Sequence, residues 1–139
     1  MTKYYLRSAE DPILRQRAED VVYFSDLVNL LDYMHDFMLI HRNAIGLAAP
    51  QIGDSRRVAV ARIDVEIREF INPVIIKKGL YIPLPEGCLS LPGYKLKLRR
   101  TSVDVQYNDR HGNSSIENYA CAAAIILQHE TDHLDGKLI

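Results

Sequence analysis

The chain has few cysteines, no tryptophan, no excess of charge and no long apolar run. Only two of its 139 residues are cysteines, which excludes a disulfide framework and favours a reducing compartment, the cytoplasm. Seventeen basic and eighteen acidic residues leave a net charge of −1, which argues against nucleic-acid binding. The longest apolar run, 119–127, is about half of the ~18 residues that a membrane helix needs. We therefore expect no membrane segment, no signal peptide and no nucleic-acid partner.

What remains is the composition of a globular protein, with 47% hydrophobic and 25% charged residues. A chain of this length buries roughly two-thirds of its surface on folding, enough for a core without disulfide or metal crosslinks. Repeats, low-complexity segments and Gly/Ser linkers are absent. We expect one domain over 1–139 and a monomer.

Hydrophobic periodicity predicts both helices and strands. A helix-period apolar stripe begins after Ser25, its expected N-cap, and runs to about Arg42. Its members are Leu27, Leu30, Leu31, Met34, Phe37 and Met38. β-branched or alternating runs predict strands at 57–63, 66–76 and 101–107. The glycine-rich segment 45–53 is predicted as a loop that lets the backbone approach something closely, and the proline-rich segment 83–93 as neither helix nor central strand.

The last predicted helix, from about Ile116 to Leu134, is apolar almost all round, which indicates burial on most sides. Gly136 is its expected C-cap. The resulting fold class is α+β: small antiparallel or mixed β-sheets packed around a buried C-terminal helix, with an amphipathic N-terminal helix.

That buried helix carries His129, Glu130 and His133, an H-E-x-x-H pattern. On a helix the two histidines lie ~40° apart in azimuth and about 6 Å apart along the axis, so both rings can bind one metal. Glu130 lies beside them, placed to take a proton from a water on that metal. The structural alternative is a pair of core histidines satisfied by hydrogen bonds.

Two histidines leave a metal short of ligands, and a third has to lie upstream. Asp135, two residues past His133, points to the other side of the helix. Cys121 lies ~12 Å from His129 along the helix axis and is interpreted as a small buried apolar residue. Cys88, in the proline-rich segment, is the thiol that remains. A Cys–His–His set with one open position suits a hydrolytic metal. His35, His41 and His111 are expected at the surface.

Three segments of the sequence, AIGLAAPQ (44–51), EGCLS (86–90) and QHETDH (128–133), resemble the three motifs of the peptide deformylase family. The family patterns are G-x-G-L-A-A-x-Q, E-G-C-x-S and Q-H-E-x-D-H. They occur here in the same order, and the resemblance spans essentially the whole chain.

The resemblance implies removal of the N-formyl group from the formyl-methionine of newly made polypeptides, with release of formate. It implies that Cys88, His129 and His133 bind one divalent metal, natively iron(II), which zinc, nickel or cobalt can replace. Glu130 would act as the base. The oxyanion would be held by the metal, the Gln51 side chain and the Leu89 backbone N–H.

By the same resemblance, the substrate peptide binds as an added strand along Ile45, Gly46 and Gly87. Leu84, Ile125 and Ile126, together with Ile45, are candidates for the methionine pocket. Glu86 is expected to pair with Arg100 and to brace the cysteine loop.

The sequence departs from the family in three places. Ala44 replaces the first glycine of its motif, Arg99 stands where proline is common, and the chain ends six residues after His133. Many bacterial members continue into a C-terminal helix associated with ribosome docking. We therefore expect a short form, as in bacteriophage-type members, without direct ribosome contact.

Two other functions share part of this pattern. A general metallopeptidase also carries H-E-x-x-H, although its further ligand usually lies downstream. A non-catalytic binding module could keep the fold with a structural metal, but such a site needs neither the Glu130 base nor the Gln51 donor.

Overall fold

A computed structural model describes residues 4–88 and 91–137, excepting the side chains at positions 77, 78, 88, 91 and 92. Within these ranges the chain forms two α-helices, α1 (Val28–Ile40) and α2 (Cys121–Leu134). Its strands are β1 (Gly46–Ala48), β2 (Val58–Ile63), β3 (Glu66–Lys78), β4 (Tyr81–Cys88), β5 (Leu91–Arg100), β6 (Ser102–Asn108) and β7 (Ser114–Ala120). Short 3₁₀ turns cover Pro12–Arg15, Phe24–Leu27 and Ala49–Ile52.

Five strands form one antiparallel sheet in the order β1-β2-β3-β6-β7, and β4 and β5 form a separate two-stranded sheet. Strand β2 is buried on both faces, because Val58 and Val60 pack with the α1 side while Ala59 and Ala61 pack on the opposite face. Strands β2, β3 and β6 confirm the predictions at 57–63, 66–76 and 101–107. The predicted loop 45–53 instead contains β1 and a 3₁₀ turn.

Helix α1 covers one face of the large sheet. The predicted stripe from Leu27 to Met38 is buried there and forms most of the core on that side. The helix is shorter than expected. Ser25 lies in a 3₁₀ turn, and the α-helix begins at Val28 without a side-chain cap and ends at Ile40. The residue before the helix is Leu27, which is fully buried. Packing of Leu27 in the core, rather than a serine cap, therefore accompanies the start of α1.

Helix α2 packs on the other face of the sheet, against β1 and β2, and also against β5. Leu134 lies on Ala48 and Ala59, whose small side chains let the helix approach the strands closely. Gly136 follows the helix with φ +76°, and its N–H donates to the carbonyl of His133. The predicted glycine terminus is confirmed.

The predicted start of this helix at Ile116 is wrong. Residues 114–120 form β7, which pairs with β6, and Tyr119 is buried with its ring 5.9 Å from that of Phe70. The chain turns into the helix at Cys121, which has φ +56°. Cys121 was expected to be buried but is exposed, because it lies at this corner rather than inside the helix.

Strands β4 and β5 pair over most of the proline-rich segment that we expected to be irregular. Pro83 and Pro85 lie within β4. Both strands of a two-stranded sheet are edge strands, so a proline can occupy one without removing a ladder hydrogen bond in a sheet interior. The prediction that this segment forms no central strand is confirmed.

The architecture confirms the predicted α+β class, with antiparallel sheets, a buried C-terminal helix and an amphipathic N-terminal helix. No helix in the described ranges is both long and apolar enough to cross a membrane.

Candidate active site

The two histidines of α2 point the same ring nitrogen at a common position. His129 Nε2 lies 3.2 Å from His133 Nε2, and both residues are buried. Two nitrogen ligands about 2.0–2.1 Å from one tetrahedral ion are expected to lie about 3.3 Å apart. Burial lowers the pKa of His133 to about 3, which keeps its ring neutral, the form that binds metal. The histidine pair therefore fits a metal ion.

Glu86, from β4, orients His129. Its Oε1 lies 3.0 Å from His129 Nδ1, so the opposite ring nitrogen, Nε2, is directed toward His133. Burial by itself raises the pKa of Glu86, but hydrogen bonds from His129 and Arg99 outweigh this effect and lower that pKa to about 2. A carboxylate ionised in this way fixes the tautomer of a metal-binding histidine.

The partner of Glu86 is Arg99, and the expected pairing with Arg100 is wrong. Arg99 Nε and Nη2 donate to the two oxygens of Glu86 at 2.6 and 2.7 Å, and Nη1 donates to Asp132 at 2.5 Å. Successive residues of β5 face opposite ways, so Arg100 lies on the other face, its guanidinium 3.4 Å from the centroid of the Tyr81 ring. Arg99 thus links β4 to α2, through Glu86 on the strand and Asp132 on the helix.

Gln128 ties the same helix to β5 through the backbone of Arg100. Its Oε1 accepts from the Arg100 N–H at 2.7 Å, and its Nε2 donates to the Arg100 carbonyl at 2.8 Å. The pattern imitates a β-ladder rung. It holds the strand that carries Arg99 at a fixed position on α2.

Glu130 is buried beside the histidines and lies against β1. A Cβ built on Gly46 would lie 2.8 Å from Glu130 Cδ and 2.9 Å from Cγ, and closer still to Oε2, so a larger residue here would displace this carboxylate. Burial raises the pKa of Glu130 to about 7. Its Oε1 has no hydrogen-bond partner among the described residues. A carboxyl with this pKa can exchange a proton near neutral pH.

Gln51 follows β1 in the 3₁₀ turn. Its Oε1 accepts from the Ala48 backbone N–H at 2.9 Å, which identifies Nε2 as the donating atom of the amide. Gln51 and Glu130 both line one cleft between β1, α2 and the β4–β5 sheet.

This cleft has a volume of about 580 Å³. His129 lines the cleft. So do five of the six predicted substrate-binding residues: Ile45, Gly46, Gly87, Ile125 and Ile126. Leu84 is not part of the described lining, and its neighbour Pro85 lines the cleft instead. Sequence reasoning also missed Tyr94, because a single aromatic residue between Gly93 and Lys95 matches no motif.

The other histidines and the downstream acid are held elsewhere. His35 Nε2 lies 2.7 Å from Glu69, His41 stacks on Phe37, and His111 lies in an exposed turn. Asp135 pairs with buried Arg57 at 2.8 Å, which agrees with its predicted direction away from the site. The Cys88 side chain and Leu89, both predicted site residues, lie outside the described residues.

Comparison with known proteins connects this geometry to a family. A family model described as polypeptide deformylase matches residues 4–139. The chain belongs to the peptide deformylase family. A peptide deformylase of Heliobacterium modesticaldum is 41% identical over 140 residues, an alignment that covers 99% of this chain and 92% of the relative.

Solved structures of peptide deformylases share the fold. The structure from Thermotoga maritima has a TM-score of 0.92 at 35% identity and covers 99% of this chain and 95% of that one. A probable peptide deformylase from synechococcus phage S-SSM7 has a TM-score of 0.88 at 32% identity, covering 98% and 97%. This member of the peptide deformylase family is thus an enzyme of a metal-dependent class, and its buried group His129, Glu130 and His133 is a potential metal site.

Proposed function

We propose that this enzyme removes the formyl group from the N-terminal formyl-methionine of newly made polypeptides and releases formate. The single observation that carries the proposal is the convergence of two histidine Nε2 atoms, 3.2 Å apart, beside a buried glutamate on the wall of one cleft. Membership of the peptide deformylase family supports the reaction class.

The proposed metal ligands are His129, His133 and Cys88. Two imidazoles and a thiolate suit a first-row divalent ion, and we expect iron(II) natively, with zinc, nickel or cobalt able to replace it. A divalent ion in such a site supplies Lewis acidity, which acidifies water and polarises a carbonyl. The contact of Glu86 with His129 supports the ligand role, because metal-binding histidines commonly donate their other nitrogen to a carboxylate.

Glu130 is the proposed general base and then general acid. Its carboxylate accepts a proton as the water oxygen attacks the formyl carbon. It returns that proton to the amine nitrogen as the carbon–nitrogen bond breaks, leaving formate and a free amino terminus. A pKa of about 7 supports both transfers near neutral pH, and burial keeps bulk water from competing for the proton.

Gln51 is the proposed donor to the oxyanion that forms on the formyl oxygen. Its contact with Ala48 supports this role, because the fixed Oε1 directs Nε2 as the donor without adding charge to the site. The Leu89 backbone N–H is proposed as a second donor.

The substrate backbone is proposed to add to the open edge of β1. The Arg62 N–H donates to the Ile45 carbonyl at 2.8 Å, so alternate residues of β1 face β2 and the backbone of Gly46 faces the opposite, open edge. Gly87, in β4, lies across the cleft. Recognition through backbone groups suits a substrate with many different sequences.

The methionine side chain is proposed to contact Ile45, Ile125 and Ile126, which line the cleft. Leu84, which was predicted for the same pocket, is not included in this proposal because Pro85 and not Leu84 is among the described residues that line the cleft.

The test combines metal analysis with a formate-release assay on protein purified without oxygen. Glu130→Gln should keep the wild-type metal content but lose about 10²–10⁴-fold in formate release, the usual contribution of a general base. Cys88→Ala should lose metal affinity. Glu66→Gln, an exposed acid at the start of β3, is the matched control and should behave as wild type.

Two results would contradict the assignment. Loss of metal from Glu130→Gln would make the glutamate a ligand rather than a base. Internal cleavage of unblocked peptides, with formyl-methionyl peptides left intact, would favour the general metallopeptidase.

A further inference from the structure

One face of the β4–β5 hairpin is apolar and open to solvent. Cross-strand pairing brings three rungs onto this face, which we call the apolar hairpin face: Pro83–Leu98, Pro85–Leu96 and Gly87–Tyr94. Leu98, Leu96 and Tyr94 are 64%, 75% and 80% exposed. A contiguous exposed apolar surface of this kind is typical of a binding site, whereas single exposed apolar residues are ordinary.

The opposite face of the hairpin supplies its attachment to the protein. Glu86 and Arg99 alternate onto that face, where they contact His129 and Asp132. The apolar hairpin face is therefore not needed to dock the hairpin on α2. In the described part of the chain, neither Leu96 nor Leu98 belongs to a core cluster.

The apolar hairpin face is continuous with the cleft. Pro85, Gly87 and Tyr94 belong to both, since all three also line the cleft. The Tyr94 ring lies directly over Gly87, where a Cβ would come within 2.9 Å of Tyr94 Cε1. A chain that leaves the cleft past Tyr94 therefore meets Leu96 and then Leu98.

We propose that the apolar hairpin face binds the segment of the substrate polypeptide that follows the residues held in the cleft, and that it favours apolar side chains there. This inference rests on the proposed function. The three rungs span about 13 Å, the length of about four extended residues. Alternate side chains of an extended peptide have the same spacing as the rungs, so every second one meets a rung.

The chemistry of the face selects this occupant. All three rungs are uncharged, because Lys95 and Lys97 pair with Glu86 and Leu84 on the other face. An acidic or nucleic-acid partner would find no countercharge on these rungs. An apolar polypeptide segment is already held through its formyl-methionine. Weak contacts with this face are then intramolecular and add to the affinity for the whole substrate.

The experiment compares three formyl-methionyl substrates: a tripeptide, the same peptide extended by five apolar residues, and one extended by five serines. The enzymes are wild type, the double variant Leu96→Ser with Leu98→Ser, and the control Val65→Ser. Val65 is 93% exposed in the turn between β2 and β3, which belong to the five-stranded sheet rather than to the hairpin.

For wild type and the Val65 variant we expect kcat/KM about 5–10-fold higher with the apolar tail than with the serine tail, the gain from partial burial of two leucines. The double variant should lose this preference, keep its wild-type rate on the tripeptide and keep its Tm. Since the replaced side chains are exposed, the fold should be unaffected.

Equal rates with both tails in wild type, or an unchanged preference in the double variant, would overturn the inference. So would a wild-type dimer in sedimentation that the double variant abolishes, because the face would then join two copies of this chain. Failure of wild type on the tripeptide would instead count against the proposed function.

Discussion

Replacing Gly46 with alanine places a methyl group where the Glu130 side chain lies. The new Cβ would be 2.8 Å from Cδ and 2.9 Å from Cγ of Glu130. Ordinary carbon contacts begin near ~3.5 Å, so Cδ and Cγ have to move by about 0.6–0.7 Å, and Oε2, which lies nearer still to the new Cβ, has to move farther. Glu130 is buried on the wall of the cleft, so a shift of this size carries its carboxylate away from its position beside the histidines.

Overpacking of this size destabilises a core by about 1–3 kcal/mol, and a displacement approaching 1 Å at a catalytic group can lower a rate by about 100-fold. For Gly46→Ala we therefore expect kcat in the formate-release assay to fall about 30–100-fold. Metal content should stay at the wild-type level, since the three atoms nearest to the new Cβ all belong to Glu130.

A double-mutant cycle separates this cause from general damage to β1. Glu130→Ala removes the Cγ and Cδ atoms that the new methyl group would meet. In that background Gly46→Ala should be neutral or stabilising by about 0.5 kcal/mol in denaturant unfolding, since alanine suits a strand better than glycine. Equal destabilisation in both backgrounds, or a single variant with wild-type kcat, would refute the packing argument.

Three further predictions concern the surroundings of the site. Glu86→Gln should weaken metal binding about 10–100-fold in a chelator competition, because Nδ1 of His129 loses its carboxylate partner; unchanged affinity would remove Glu86 from the metal site. The folded-state pKa of Glu86, about 2, lies below its ordinary value of 4.5, so its contribution to stability is present above pH 4.5 and is lost as the pH falls toward 2. Acid unfolding should thus be less steep between these values in Glu86→Gln than in wild type, and parallel curves would contradict the linkage. Gly136→Ala should lower stability by about 2 kcal/mol, seen as a Tm drop of roughly 5–10 °C, while formate release per folded molecule is kept. The residue has φ +76° and its Cβ would lie 2.8 Å from the backbone of Arg15, so an unchanged Tm would show that the turn adapts.

The parts of the site that could be predicted from sequence are the local ones. His129, Glu130 and His133 lie on one helix, whose backbone hydrogen bonds determine the distance between residues four apart. The same local geometry placed the buried stripe of α1 and the glycine end of α2.

The parts that sequence reasoning misplaced depend on partners far along the chain. Ile116 joined β7 because β6 offered it an edge to pair with, and helix periodicity could not reveal that edge. Arg99 rather than Arg100 reached Glu86 because the register of β5 decides which of two adjacent arginines faces α2.

By itself, then, the amino-acid sequence determined which residue types meet on α2, since one turn of helix brings them together without help from the rest of the chain. Only the tertiary structure decided how that group is surrounded: which carboxylate orients His129, which glycine makes room for Glu130, and which hairpin face continues the cleft. Those relations join segments tens of residues apart, and they exist only after strand pairing has set which side of each strand is inside.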